Sequence, residues 1–449
     1  SASQPTIQPL GGTIHCADPA TGEALGTAPI MDQAAVDAVV ERGRDAQVAW
    51  ARASFKVRRA VLRTVLDEIL GRQAEICELA VRDSGKTMVD AALGEVWPVC
   101  EKLKYTIKCG ARDLKPEKRA SGFLTHKAAR VEYLPLGVIG VIAPWNFPFH
   151  NMFCPTIPAL FAGNAVVIKV SEQTSWSAGP YVEIFQSALE AHGFSRDLVQ
   201  VVTGYGETGA ALVRSGVDKI FFTGSPGNGR KVMATASDGL TPVVLELGGK
   251  DPMIVCDDAD LDHATNQALF GAFTACGQMC VGVERVYVFD AIYDRFLEVV
   301  LEKAKALRQG PPMGDEPVDL GAMTMPRQID IIEGLLEDAT SKGARILLGG
   351  QRLDVLPTDG REKGGANPNS GDFFEPTVLV DVDHTMRIAK EEQFGPVMVI
   401  IRVAGEDEAL RLANDSDYGL GSSVFTKSKA RGDRMARALR TGMTVVNDY

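Results

Sequence analysis

Four short apolar runs, each followed by a stretch with helical spacing, restrict the fold of this chain more than any other feature. They are "GVIGVIAP" from Gly137, "NAVVIKV" from Asn164, "DLVQVVTG" from Asp197 and "KIFFTG" from Lys219. Runs without polar alternation are buried on both faces, and when helices alternate with them the strands lie parallel in βαβ units. "PVVLELGGKDPMIV" (242–255) ends this block at a Gly-Gly break, and "ERVYVFDAIYDRFLEVVLEKAKAL" opens a second alternation of strand and helix. A boundary near 246–250 follows. Upstream, Val57, Val61, Val65 and Ile69, with Leu62, Leu66 and Leu70, share a helical face, so the first ~115 residues read as mainly helical. "PTDGREKGGANPNSGD" (357–372) reads as an exposed loop.

A chain of 449 residues buries enough surface for two domains, and 45% hydrophobic with 23% charged residues is ordinary for a folded, soluble protein. The net charge of −11, without any Lys/Arg-rich run, repels a phosphate backbone and excludes nucleic acid as a partner. No window approaches a membrane-spanning apolar length, and Ser1 opens a polar stretch unlike a secretory leader. Because the chain does not start with Met, an upstream segment is expected to have been removed. The eight scattered cysteines suit a reducing compartment, so the chain reads as cytoplasmic.

"GYGETG" (204–209) follows a strand and matches the dinucleotide-binding G-x-G-x-x-G letter for letter. Only about nine residues then remain before the next strand, short of the helix a full crossover needs. "FTGSPGNGRKVM" (222–233) sets Gly224, Ser225, Gly227 and Gly229 between a strand end and a helix start, where N–H groups and a hydroxyl face an anion. Plain turn glycines remain the competing reading of both loops. Lys169 and Glu172, in "IKVSEQTSWSAG", fall at another carboxyl strand end, where open α/β sheets bind ligands. A carboxylate there accepts ribose hydroxyls and repels a 2′-phosphate, favouring NAD over NADP; a surface ion pair is the alternative.

"FTACGQMCVG" (273–282) fits three chemistries: half a metal site, a redox disulfide or a nucleophilic thiol. Zinc needs about four clustered ligands, and Cys256 and His263 form no second pair with Cys276 and Cys280. A disulfide across four residues closes too small a loop to stabilise much and conflicts with a reducing compartment. A nucleophile needs a polar turn, partial exposure and a base, and Glu246 stands at the inferred boundary, where a cleft would hold a small substrate.

Eight motifs in order carry a resemblance to the NAD(P)-dependent aldehyde dehydrogenase superfamily. They are "PWNFP" (144–148), "KVSEQT" (169–174), "FTGSPGNG" (222–229), "LELGGKD" (245–251), "GQMC" (277–280), "EEQFGPV" (391–397), "NDSDYGLGSSVF" (414–425) and "GMTVVND" (442–448). They cover essentially the whole chain. "VEYLPLGVIG" and "DSGKTMVDAALGE" look closest to a plant- and fungal-type branch, some of whose members carry an N-terminal membrane anchor.

The resemblance implies a Rossmann-like, parallel-sheet NAD-binding domain (1–120 and 137–246), an oligomerisation hairpin (121–136, "GFLTHKAARVEYLP") and an α/β catalytic domain (247–449). It implies that Cys280 attacks an aldehyde, that the Asn146 amide and the Cys280 N–H hold the oxyanion, and that Glu246 activates water on the resulting thioester. Trp145, Lys169, Glu172, Gly224, Ser225, Gly229, Glu392 and Phe394 are similar to residues that hold the cofactor, which demotes "GYGETG" to a structural turn. The retained base Glu246 implies hydrolysis to a free acid rather than acyl transfer to coenzyme A. Cys276 reads as a packed thiol in preference to a redox partner. Trp145, Phe147, Phe273, Met279 and Val281 flank these groups, as tunnel wall or as core. The family continues beyond the position of Asn447 with a segment that closes a tunnel wall and completes a homodimer or homotetramer; its absence here reads either as a fragment of a longer protein or as loss of dimerisation and full activity. The rivals are a catalytically silent scaffold of the same fold and a reductase without a covalent intermediate.

Overall fold

The computed structural model describes residues 12–353 and 371–449. Most of the loop expected at 357–372 therefore lies outside the described residues. The chain divides into two units: one takes the chain up to Ala17, Ala24–Asp83 and Ala91–Glu246, the other Asp18–Glu23, Ser84–Asp90 and Leu247–Tyr449.

The first unit opens with an antiparallel pair, β1 (Thr13–Ala17) and β2 (Ala24–Pro29), inside the stretch expected to be mainly helical. Its strands are short and largely exposed, burying little beyond Ile14, Cys16 and Ala28, so no apolar run announces them. Helices α1 (Gln33–Ala51), α2 (Phe55–Gly71) and α3 (Gln73–Ser84) follow. The first two start where Asp32 and Ser54 side chains accept free N–H groups of the opening turn. A short α4 (Met88–Ala91), a π-helical turn (Ala92–Val96) and α5 (Trp97–Asp113) lead to a small hairpin of β3 (Glu117–Arg119) and β4 (Ala129–Val131). Only the second arm of that hairpin falls in the expected 121–136; the first lies earlier, in a charged tripeptide without strand patterning.

The four apolar runs form β5 (Val138–Ile142), β6 (Ala165–Lys169), β7 (Val199–Val202) and β8 (Lys219–Thr223), and β9 (Val243–Glu246) completes a five-stranded parallel sheet. Their connections are α6 (Pro148–Phe161), α7 (Ala178–Ala191), α8 (Gly206–Arg214) and α9 (Pro226–Asp238). Strand order is β7-β6-β5-β8-β9, so the chain winds outward from β5, returns, and winds the other way from β8. The switch point thus lies between the carboxyl ends of β5 and β8. "GYGETG" does feed a helix, the nine-residue α8, contrary to the length argument, but it leaves edge strand β7, away from the switch point.

In the second unit, β10 (Asp251–Val255), α10 (Leu261–Phe273), β11 (Val283–Phe289), α11 (Asp290–Lys305) and α12 (Pro326–Ser341) precede β12 (Arg345–Leu348). A two-stranded piece, β13 (Arg352–Leu353) with β14 (Phe373–Phe374), is followed by β15 (Thr377–Val380), β16 (Val397–Val403), α13 (Glu406–Asn414), β17 (Ser423–Phe425), α14 (Lys429–Ala438) and β18 (Val445–Val446). The seven-stranded sheet runs β12-β15-β16-β11-β10-β17-β18 and is parallel except at β12. β11 is buried along its whole length, and Val286, Val288, Ile400, Phe296 and Leu335 share one core. Two early segments belong here by hydrogen bonding: the Ala322 N–H donates to Gly85 O at 2.8 Å, and the Asp372 N–H to Pro19 O at 2.9 Å. This is the α/β, parallel-sheet architecture expected from the sequence.

Candidate active site

In the first unit the sequence-selected residues gather at the carboxyl edge of the sheet. Trp145 and Asn146 follow β5, Lys169 ends β6, Glu172 opens the turn after it, Gly224 and Ser225 follow β8, and Glu246 ends β9. Asn146 is buried, and the Asn151 amide donates to its Oδ1 at 3.4 Å, which commits the carbonyl edge of Asn146. Lys169 is 5% exposed and holds Glu172 at 3.4 Å; burial lowers the pKa of its ammonium, while Glu172 opposes that. Ser225 caps α9, its Oγ accepting from Asn228 N at 3.4 Å, with Pro226 in the first turn where an N–H is dispensable. Gly229 is buried on α9. The Gly224 N–H donates to Glu246 O at 3.0 Å, tying the β8 turn to the end of β9, and the Glu246 side chain is exposed.

In the second unit the corresponding residues sit at the opposite edge, the amino ends of parallel strands. Gly248 to Asp251 enter β10, Cys280 precedes β11, and Glu392 to Phe394 precede β16. Cys280 lies in a turn closed by the Gly282 N–H donating to Met279 O at 3.1 Å, and it is partly exposed. Ala275, Cys276 and Gly277 just before it are all left-handed, at φ 48°, 56° and 68°. For the two non-glycine residues that costs about 1 kcal/mol each. The Asp90 carboxylate accepts from the Ala275 N–H, and Gln278 donates to Ala275 O at 3.0 Å while accepting from Thr324 N at 2.9 Å. These contacts over-determine the turn. Cys276 is fully buried and its Sγ donates to Gly321 O at 3.2 Å, the packed thiol expected from the sequence. Phe147 and Phe273 are buried core residues of their own units.

Burial pushes the Cys280 thiol up to about 11, with the carboxylates of Glu392 and Asp251 adding to the rise and the N–H groups of Val281 and Cys280 opposing it. Burial, then the Glu284 charge, raises Glu392 to about 8, and burial raises Asp251 to about 7. Glu392 accepts from the Gly249 N–H at 2.8 Å. Gly248 and Gly249 are required here: a Cβ on the first would overlap the Glu392 carboxylate, and one on the second would strike the Cys280 carbonyl and lie 2.5 Å from Asp251 Oδ1. The Gly-Gly pair, read from the sequence only as a break, lets the backbone pass between nucleophile turn and carboxylate. Among the described residues no group of His, Cys, Asp and Glu is placed to hold a metal.

Residues 7–449 match the aldehyde dehydrogenase family. The chain belongs to that family. It is 38% identical to an aldehyde dehydrogenase-like protein of Schizosaccharomyces pombe over 444 residues, 98% of this chain and 83% of that one. It is similar to the crystal structure of an NADP-dependent enzyme of E. coli, with TM-score 0.89, 32% identity, and coverage of 98% and 87% of the two chains. It is also similar to betaine aldehyde dehydrogenase from Staphylococcus aureus in complex with NAD+, with TM-score 0.88, 29% identity, and coverage of 98% and 84%. This aldehyde dehydrogenase therefore acts on a small-molecule aldehyde with a nicotinamide cofactor. Among the described residues no helix is long and apolar enough to cross a membrane.

What the sequence missed in the site are the residues that seat it: Asp90, Gln278, Lys250, Glu284 and Gln393. Asp90, Lys250, Gln278 and Gln393 lie inside the quoted motifs without a role assigned to them, and Glu284 was marked only by a charge inside a buried strand.

Proposed function

We propose that this aldehyde dehydrogenase oxidises its substrate to a free carboxylic acid through a thioester on Cys280. The carrying observation is the Cys280 turn: a partly exposed thiol on a strained, over-determined backbone, with the N–H groups of Cys280 and Val281 near the sulfur. The first unit serves as the cofactor domain and the second as the catalytic domain.

The residues fit a dinucleotide. The α9 amino terminus and Ser225 suit a pyrophosphate, the Lys169 ammonium and Glu172 carboxylate suit an adenosine ribose, and Glu392 and Phe394 suit the nicotinamide end. The carboxylate of Glu172 supports NAD over NADP. Gly224, Gly229 and Trp145 complete this set. When bound, the nicotinamide supplies a two-electron acceptor.

Cys280 Sγ gives up its proton to solvent water and adds to the aldehyde carbon, and the oxygen gains the negative charge. The Asn146 NH2 edge and the Cys280 N–H are the donors assigned to that oxygen. Oxidation of the adduct leaves an acyl thioester. Glu246, exposed and therefore hydrated, takes a proton from the water that attacks it, releasing acid and restoring the thiol. The small hairpin, with Phe123 and Leu134 exposed beside it, supports assembly as a homodimer or homotetramer. Eight free cysteines fit a cytoplasmic, reducing setting.

Rapid-mixing measurement of NADH formation tests the scheme. Cys280→Ser is expected to abolish NADH formation while NAD+ still binds, and Glu246→Gln to give a single stoichiometric burst followed by turnover slowed about a hundredfold or more. Steady turnover by Cys280→Ser would refute the covalent route.

A further inference from the structure

Glu284 lies on β11, four residues beyond Cys280, and is 3% exposed. A buried carboxylate must be satisfied, and this one accepts three donors. Its Oε2 accepts from Lys250 Nζ at 2.8 Å and from the Gln393 N–H at 3.1 Å, and its Oε1 accepts from the Phe394 N–H at 3.1 Å. Lys250, 1% exposed, also donates to Gln393 Oε1. The Gln393 amide donates onward to Val397 O at 2.9 Å, and Gln328 donates to Gln393 O at 2.8 Å. On the next β11 residue, Arg285 donates twice to Lys250 O, at 2.9 and 2.7 Å, fixing the backbone from which the ammonium reaches back. Phe394 sits at φ 48°, a conformation a phenylalanine keeps only where its surroundings impose it.

We infer that Glu284, ion-paired to Lys250, is a positioning residue that holds the Glu392–Phe394 turn in the shape that receives the nicotinamide end of the cofactor. The inference rests on the assignment of Glu392 and Phe394 to that end. Glu284 does not itself touch the cofactor; it acts through two backbone N–H groups. A carboxylate is required, because all three neighbours are donors. An amide presents an NH2 to one of them, so isosteric Gln cannot keep the turn. One strand start thereby carries both the nucleophile's turn and the anchor of the cofactor's turn.

The test compares wild type, Glu284→Gln and the double variant Lys250→Met with Glu284→Gln, which leaves no buried cation without its partner. NADH affinity is read by fluorescence in the absence of aldehyde, KM for NAD+ and kcat by initial rates, Cys280 reactivity by iodoacetamide labelling, and folding by thermal melting. Both variants are expected to bind NADH about tenfold or more weakly, the loss of hydrogen bonds to a charged group. KM for NAD+ rises more than kcat falls, and Cys280 labelling is unchanged. The double variant recovers the melting temperature without recovering NADH affinity. Wild-type affinity in the double variant overturns the inference, as does Cys280 labelling that falls in step with NADH binding, or loss of the fold in both variants, each of which makes the role one of general stability. A wild type that binds NADH but oxidises no aldehyde instead refutes the proposed function and leaves this comparison intact.

Discussion

The Cys280 thiol should become reactive only as the solution turns alkaline. Moving it from 9.0 to about 11, with the neighbouring carboxylates charged, costs the thiolate about 3 kcal/mol, so only a small fraction of molecules is ionised at neutral pH without cofactor. Burial is the largest cause and the Glu392 charge the next. Glu392 titrates at about 8, so below that pH it is neutral and adds nothing to the thiol's burden. The second-order rate of iodoacetamide labelling, followed by mass spectrometry on the Cys280 peptide, should therefore climb with pH between 6.5 and 7.5, by less than tenfold per unit because Asp251 ionises at about 7 and adds its own charge. Above pH 8 it should climb less steeply, because Glu392 ionises and pushes the thiol higher. In Glu392→Gln the rate should climb about tenfold per unit from pH 8 to 9, where labelling outpaces wild type by about threefold to tenfold, the effect of removing a neighbouring like charge. At pH 6.5 the two proteins should react alike. A wild-type rate that levels off below pH 9, or identical profiles for the two proteins, would refute this account of the thiol's surroundings.

Asp251 gives a stability test. Its folded value of about 7 lies above the ordinary 3.8, so its contribution is present below pH 4 and is lost as pH rises through 7. Asp251→Asn, which keeps an acceptor for the Gly421 N–H, should melt a few degrees above wild type at pH 8, with the gap narrowing as pH falls and closing only near pH 4, checked by calorimetry. Gly249→Ala should lose at least about a hundredfold in kcat/KM and about 1–3 kcal/mol of stability, because the added methyl displaces the Cys280 carbonyl; steady-state rates and urea titration measure both.

Legibility in the sequence followed the range of the interactions. β5 to β8 were readable because burial on both faces leaves unbroken Val/Ile runs, whereas β1 and β2 bury only a few side chains and leave no such mark. "GYGETG" shows that a local pattern carries no strand order: its glycines look like a pyrophosphate loop until β7 proves to be an edge strand. The motif residues at both sheet edges could be named by resemblance. The network that shapes them could not, because Lys250, Glu284 and Gln393 meet across sequence separations of 34 and 109 or more residues. No window brings such residues together, and a lone charge in a strand says only that some partner exists.

Asp18–Glu23 and Ser84–Asp90 lend the second unit pieces made early in translation. A ribosome releasing this chain has already synthesised Gly85, Asp90 and Pro19 long before their partners Ala322, Ala275 and Asp372 emerge. The later unit consequently cannot close as an autonomous lobe from 247 onward. Severed from its upstream loans, it would carry a nucleophile loop whose left-handed kink had lost its carboxylate brace.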